Sequence, residues 1–173
     1  HAYITQAHLL VEEGATPEQI DIAAESWGWA MGPFAVNDLA GNDVGWRIRK
    51  GKGKDYYKGK KYASTVADRL CELGRFGQKV GKGFYTYDPQ TRRRQSDPEV
   101  TKIIDDVRRE KGINPRVIDN DEILSRLHGA LVIEGTRILE EGHALRSSDI
   151  DVCYISGYGF PAHRGGPMWQ ADK

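Results

Sequence analysis

The feature that most limits what this chain can fold into is a repeat inside it. Glu12-Glu13-Gly14, Ile20-Asp21-Ile22, Trp27-Gly28-Trp29 and Gly32-Pro33 recur in the same order as Glu140-Glu141-Gly142, Ile150-Asp151-Val152, Tyr158-Gly159-Phe160 and Gly166-Pro167. In both copies the pattern predicts a long helix ending at Glu-Glu-Gly and a shorter helix carrying Ile-Asp. An aromatic-Gly-aromatic turn then leads to Gly-Pro at the start of a third helix. A period of about 130 residues is too long for a solenoid, so the expectation is a duplicated domain. The 173 residues are enough for one sizeable core or two small ones.

The predicted elements are almost all helical. Apolar residues at helical spacing run from Tyr3 to Glu13, with Gly14 as a C-cap. Thr16-Pro17-Glu18-Gln19 reads as a capping box opening a helix to about Trp27. Short helices are expected after Gly32-Pro33, from Val44 to Ile48, and from about Ser64 to Leu73. Arg47 to Lys61 carries eight basic residues and one acid, and reads as a basic loop. Gly74 to Gly83 is a loop ending in the extended segment Phe84-Tyr85-Thr86-Tyr87. Asp88 to Gln95 is the linker candidate, Asp97-Pro98-Glu99 starts another helix, and Asn120 to Glu141 is the longest amphipathic stripe.

Charge and composition exclude several classes. Lys plus Arg and Asp plus Glu both total 25, so no polyanionic partner is implied, and the basic run lacks a recognition helix or interleaved aromatics for nucleic acid. No apolar run reaches the roughly 20 residues of a membrane span, and the first residues carry no signal-peptide pattern. Cys71 and Cys153 have no neighbour at ligand spacing, so no metal site is expected and both read as buried free thiols. The histidines show no carboxylate dyad. His8 and His128 read as surface or boundary residues, His163 as a surface residue, and Gln6 and Glu134 as buried polar ties between helices. Opening at His1 without a methionine, the chain reads as an excised piece.

Further motifs carry a resemblance: Met31-Gly32-Pro33-Phe34, Asp38-Leu39-Ala40-Gly41 with Asp43-Val44-Gly45-Trp46, and Arg75-Phe76-Gly77-Gln78-Lys79-Val80-Gly81-Lys82-Gly83-Phe84-Tyr85. With Glu12 to Ala15 and Ile20-Asp21 they resemble the C-terminal domain of 3-hydroxyacyl-CoA dehydrogenases. Gly157 to Pro161 and Arg164 to Met168 resemble the duplicated copy in the multifunctional fatty-acid oxidation enzymes. The resemblance implies an all-α fold of two related helical domains, 1–95 and a truncated 96–173. They would pack with pseudo-two-fold symmetry, the second standing where a partner subunit stands in single-copy relatives.

It also implies a reaction in which NAD takes hydride from L-3-hydroxyacyl-CoA while a histidine oriented by a glutamate takes the proton. Those groups belong to an N-terminal Rossmann domain. Gly77 to Gly83 runs into an extended segment, so no dinucleotide fingerprint is present and no catalytic residue is assigned. Met31, Gly32, Pro33 and Phe34, with Val36 behind them, are expected to wall the acyl pocket. The plain alternative is that Met31 and Phe34 are ordinary core. Arg47, Arg49, Lys50, Lys52, Lys54, Lys79 and above all Lys82, between two glycines, are candidates for the CoA phosphates, against the alternative of a solvated loop.

Two readings of function stand at this point. In one, the chain is the substrate-side and scaffold part of the dehydrogenase, working with an acyl-CoA substrate, with the Rossmann and enoyl-CoA hydratase domains of the same protein, and with a thiolase subunit or a second copy. In the other it is a non-catalytic helical dimerisation or interaction module. The expected compartment is a bacterial cytoplasm, with the peroxisome as the alternative.

Overall fold

The computed structural model describes residues 2–52 and 65–173. It is helical, with one small hairpin, in the order α1 (Ala2–Glu13), α2 (Pro17–Trp27), α3 (Pro33–Ala40), α4 (Asn42–Lys52), α5 (Thr65–Glu72), β1 (Thr86–Tyr87), β2 (Arg94–Gln95), α6 (Pro98–Glu110), α7 (Asn120–Glu140), α8 (Ser147–Gly157) and α9 (Pro167–Ala171). α7, α8 and α9 repeat α1, α2 and α3.

Local chemistry sets the helix starts. Thr16 accepts the Gln19 N–H at 3.1 Å with Pro17 in the first turn, Asp97 accepts from Glu99 N, and Asp119 accepts from Glu122 N. The capping box at Thr16 is only half made: the Gln19 side chain donates instead to the Ile118 carbonyl at 2.7 Å, fastening α2 to the segment before α7.

One core joins the two repeats. Leu10, Val11 and Ile20 of the first pack with Ile123, Leu127 and Leu131 of α7, and α6 adds Val100, Ile104 and Val107. The two aromatic-Gly-aromatic turns meet reciprocally. A Cβ on Gly28 would press on Pro161, and one on Gly159 would press on Ala30, the residue equivalent to Pro161. Ala30 N donates to Gly159 O at 3.0 Å, and the equivalent rings Trp29 and Phe160 lie 5.5 Å apart. This is the contact pattern of a two-fold axis between like surfaces.

Several sequence expectations change. Asp88 to Gln95 is no free linker: Thr86 and Tyr87 pair with Gln95 and Arg94, because Arg94 is held by both oxygens of Glu25 at 2.8 and 2.7 Å. The basic stretch from Arg47 to Lys52 continues α4, with Arg49 bound to Asp68, while residues 53–64, Lys54 among them, lie outside the described residues. His8 is buried between Phe34 and Phe84. His128 is half-buried and accepts from the Trp29 indole at 3.3 Å. Burial, followed by nearby Arg49 and Arg164 respectively, pulls their pKa values down to about 3 and about 4. His163 is exposed, as expected, whereas Cys153 is exposed and only Cys71 is buried. Gln6 ties α1 to α7 by accepting from Arg126 without being buried, and Glu134 is 45% exposed.

Candidate functional site

The Met31–Val36 stretch is mounted on a buried carboxylate. Asp21, fully buried in α2, accepts the backbone N–H groups of Phe34 and Ala35, both at 2.9 Å, at the start of α3. It also accepts the Tyr85 hydroxyl at 2.8 Å, and Arg94 lies 3.8 Å away. An anion at this helix end meets two otherwise unpaired amides and the positive end of the dipole. Desolvation outweighs those hydrogen bonds and raises the Asp21 pKa to about 6. Gly32 is required here, since a Cβ would fall 2.4 Å from the Asp21 Cα, and its own N–H donates to Glu25 at 3.0 Å.

The second copy builds the same joint. Asp151 accepts from Met168 N at 2.7 Å and Trp169 N at 3.2 Å, and a Cβ on Gly166 would meet the Asp151 side chain at 2.4 Å. The repeated Ile-Asp and Gly-Pro motifs are therefore two halves of one structural tie.

At the far end of α3, Asp38 collects four donors: Asn42 Nδ2 at 2.7 Å, Phe84 N at 2.9 Å, Tyr85 N at 3.0 Å and the Tyr87 hydroxyl at 2.9 Å. Burial pushes its pKa up against these bonds, and burial likewise lifts the Tyr85 and Tyr87 phenols well above their ordinary range, aided by the adjacent carboxylates. Arg75, 2% exposed, donates to Gly83 O at 3.0 Å, Glu99 at 2.8 Å and Asp97 at 2.7 Å, which anchors the glycine loop to α6.

The candidate residues divide by exposure. Gly32, Pro33 and Phe34 are buried, with Phe34 at 0% and its ring 4.6 Å from Phe84. Met31 and Val36 are partly exposed and supply the accessible apolar surface. Lys82 is exposed and beside Asp97: burial raises that carboxyl's pKa, and Glu99 N, Arg75 and, least of all, Lys82 together bring it below the usual range. Lys82 belongs to the Asp38 end of α3, since the neighbouring Gly83 abuts that carboxylate, whereas Met31 sits at the Asp21 end. Eight residues of helix, about 12 Å, separate the two ends. Among the other basic candidates, Arg47 and Lys79 pair with Asp43 and Lys50 lies 3.8 Å over the Trp46 ring.

Five amides of the glycine loop and the segment after it are already bonded. Gly77 N and Lys82 N bond across the loop to each other's carbonyls, Gly83 N bonds Tyr85 O, and Phe84 N and Tyr85 N are taken by Asp38. The Asp38 carboxylate takes the two amides after the last glycine and would repel a phosphate there, so this loop does not fit a dinucleotide. Among the described residues no group of three or more His, Cys, Asp or Glu side chains is placed to hold a metal ion, and no helix is long and apolar enough to cross a membrane. Sequence reading missed Arg94 and Arg75. Arg75 opens the Arg75–Tyr85 motif and Arg94 stands in an arginine-rich stretch, but neither signal names a partner or a role.

Comparisons with known proteins bear on the chain as a whole. A model of the 3-hydroxyacyl-CoA dehydrogenase C-terminal domain matches residues 1–87. The chain belongs to that family. The guinea-pig (Cavia porcellus) peroxisomal bifunctional enzyme is 49% identical over 98% of this chain and 25% of its own length. A peroxisomal fatty acid beta-oxidation multifunctional protein of rice (Oryza sativa subsp. japonica) is 34% identical over 98% of this chain and 24% of its own length. The solved dehydrogenase part of multifunctional enzyme 1 from C. elegans superposes with a TM-score of 0.74, at 34% identity, over 96% of this chain and 36% of that one.

The chain therefore spans about a quarter of the length of these curated relatives. Both repeats lie inside the matched span, although the 3-hydroxyacyl-CoA dehydrogenase domain model covers the first alone. The expectation of a bacterial cytoplasm is overturned, because the relatives are peroxisomal or glyoxysomal proteins of animals and plants.

Proposed function

We propose that residues 1–173 form the substrate-side and scaffold part of an NAD-dependent dehydrogenase that oxidises L-3-hydroxyacyl-CoA to 3-oxoacyl-CoA in peroxisomal fatty-acid oxidation. The observation that carries this reading is the mounting of Met31 and Val36. Asp21 and Asp38 tie α3 at both ends, so two partly exposed apolar side chains, Met31 packed against the core, are carried on a backbone fixed by hydrogen bonds. An acyl chain is bound by preformed apolar surface of this kind, without a hydrogen-bonding demand. Buried Gly32, Pro33 and Phe34 fix the wall from behind, and Lys82 offers a cation to the CoA phosphates.

Hydride and proton transfer belong, on this proposal, to a dinucleotide-binding domain elsewhere in the same longer protein, which holds NAD, with a hydratase domain as a further part. The chain itself comprises a first copy, 1–95, and a shortened second copy, 96–173, with α6 packed back onto the first. A thiolase subunit or a second molecule is a further proposed partner, read out by the mass of the native enzyme.

The test is NADH oxidation with acetoacetyl-CoA. The full-length protein should turn over and residues 1–173 alone should not. A full-length protein that binds acetoacetyl-CoA but leaves NADH untouched, or does neither, contradicts the reading.

A further inference from the structure

Asp21 fixes α3 from Phe34 onward, but Met31 lies ahead of that, in the link 28–32 that belongs to neither α2 nor α3. Two amides of the link flank Met31, and both are held from outside it. Ala30 N donates to Gly159 O of the second copy at 3.0 Å, and Gly32 N donates to Glu25 Oε1 at 3.0 Å. The Glu25 carboxylate is itself gripped: its two oxygens accept Nη1 and Nη2 of Arg94 at 2.8 and 2.7 Å. A fork of this kind fixes the plane of a carboxylate as well as its place.

Arg94 is in turn fixed by the fold. Its backbone pairs with Tyr87 in the hairpin, its guanidinium stands 5.2 Å from the centre of the Tyr85 ring, and Nη1 lies 3.8 Å from Asp21. A line of contact therefore runs from the hairpin through Arg94 and Glu25 to the amide next to Met31. Burial raises the Glu25 pKa, but Arg94 and Gly32 N together bring it below the usual range, so the pair is charged at neutral pH.

The second copy shows that this line is not needed for the joint itself. Ile-Asp aligns Asp21 with Asp151, and four residues further along the helix Ile155 stands where Glu25 stands in α2. Asp151 nevertheless accepts from Met168 N and Trp169 N, as Asp21 does from Phe34 N and Ala35 N. The carboxylate and its arginine are an addition in the copy that carries the candidate acyl wall. With the Arg94 and Glu25 side chains 30% and 31% exposed, the pair adds little to stability. What it adds is direction.

We propose that Glu25 and Arg94 are positioning residues that set the place of Met31 in the acyl wall, and through it the acyl length the enzyme accepts. This rests on the reading of Met31 and Val36 given above. Both residues act through the Gly32 amide and not by touching substrate.

The test compares the full-length protein with Arg94→Gln, Met31→Ala and the double variant, by steady-state NADH oxidation with acetoacetyl-CoA and a medium-chain 3-oxoacyl-CoA. Arg94→Gln should raise KM for the longer substrate by about fourfold or more, the equivalent of one methylene contact, and the change should lie in KM rather than in kcat. In the Met31→Ala background the same substitution should add nothing, because the side chain it positions is gone. Glu25→Gln keeps an acceptor for Gly32 without the ion pair, so it should shift KM in the same direction by less; it takes the place of Arg94→Gln if that variant does not fold.

An unchanged KM in Arg94→Gln, while Met31→Ala raises it, overturns the proposal and leaves the acyl wall standing. An equal rise with and without Met31 also overturns it, since Arg94 would then act on the substrate or on another part of the wall. So does an equal fall in kcat for both substrates, the mark of a general loosening. No effect of Met31→Ala on KM removes the acyl wall, and the proposal with it.

Discussion

Tyr85 donates its hydroxyl to the buried carboxylate of Asp21 at 2.8 Å, and through that bond the glycine loop of the first copy is tied to the start of α3. The backbone N–H of the same residue is bound by Asp38, so a single residue links both carboxylates that hold the candidate acyl wall.

Removing that hydroxyl leaves a buried acceptor one donor short. Tyr85→Phe is expected to lower unfolding stability by about 1–3 kcal/mol, measured by urea denaturation of the full-length protein, with the loss in the domain that contains residue 85. A change below the error of the measurement contradicts the tie.

The glycines of the two joints are both expected to resist substitution. Gly32→Ala and Gly166→Ala each drive a methyl into an aspartate at 2.4 Å, so each should cost about 1–3 kcal/mol through overpacking, and Gly166→Ala somewhat more because its φ of 94° also disfavours a side chain. Gly129, in α7 with open space where a Cβ would be, is the control: Gly129→Ala should stabilise by about 0.5–1 kcal/mol through helix propensity. Equal effects at all three would refute the role of Asp21 and Asp151.

These joints show how far the sequence alone reaches. Thr16-Pro17 and Asp97-Pro98 announce helix starts because their partners lie within three residues, and the Gly-Pro turns because proline suits a first helical turn; those starts are where the structure has them. The repeat announced that Asp21 and Asp151 were equivalent without saying what they bind, since Phe34 and Met168 are reached only through the fold. Arg94 looked like linker because its partner Glu25 is 69 residues away, and His8 looked superficial because Phe34 and Phe84 come over it from other elements. For the candidate site, Met31 to Val36 was legible as a turn with apolar neighbours. Which of those neighbours are covered was not, because coverage depends on the Asp21 joint.

Acid pH should separate the buried groups. His8 and His128 have folded pKa values of about 3 and about 4, below the usual 6.5. The unfolded chain thus binds more protons, and stability falls as pH drops below 6.5. Asp21 runs the other way. Its folded value of about 6 exceeds 3.8, so the folded chain holds the extra proton and this group adds stability as pH falls from 6 towards 4. In Asp21→Asn that offset is gone. Its stability deficit against wild type should widen between pH 7 and pH 4, on the order of 2 kcal/mol, in unfolding curves taken at both ends. A deficit that narrows instead contradicts the buried state of Asp21.

Arg75 is expected to be the least replaceable side chain of the glycine loop. Arg75→Met strands Asp97 and the Gly83 carbonyl, at a cost of about 3–5 kcal/mol for a broken buried pair. Arg75→Lys should recover little, because one ammonium cannot reproduce the three-way fork. Thermal unfolding of the two variants checks this, and full recovery by lysine would show that charge alone matters.

The central claim is that Met31 and Val36 form a rigid apolar wall for the acyl chain, and its most direct measurement is steady-state kinetics of the full-length protein with a short and a medium-chain 3-oxoacyl-CoA. In Met31→Ala/Val36→Ala the loss of buried apolar contact should raise KM for the longer substrate by about tenfold or more, leaving kcat and the constants for acetoacetyl-CoA nearly unchanged. Unchanged KM for the longer substrate, or an equal fall in kcat for both, would contradict it.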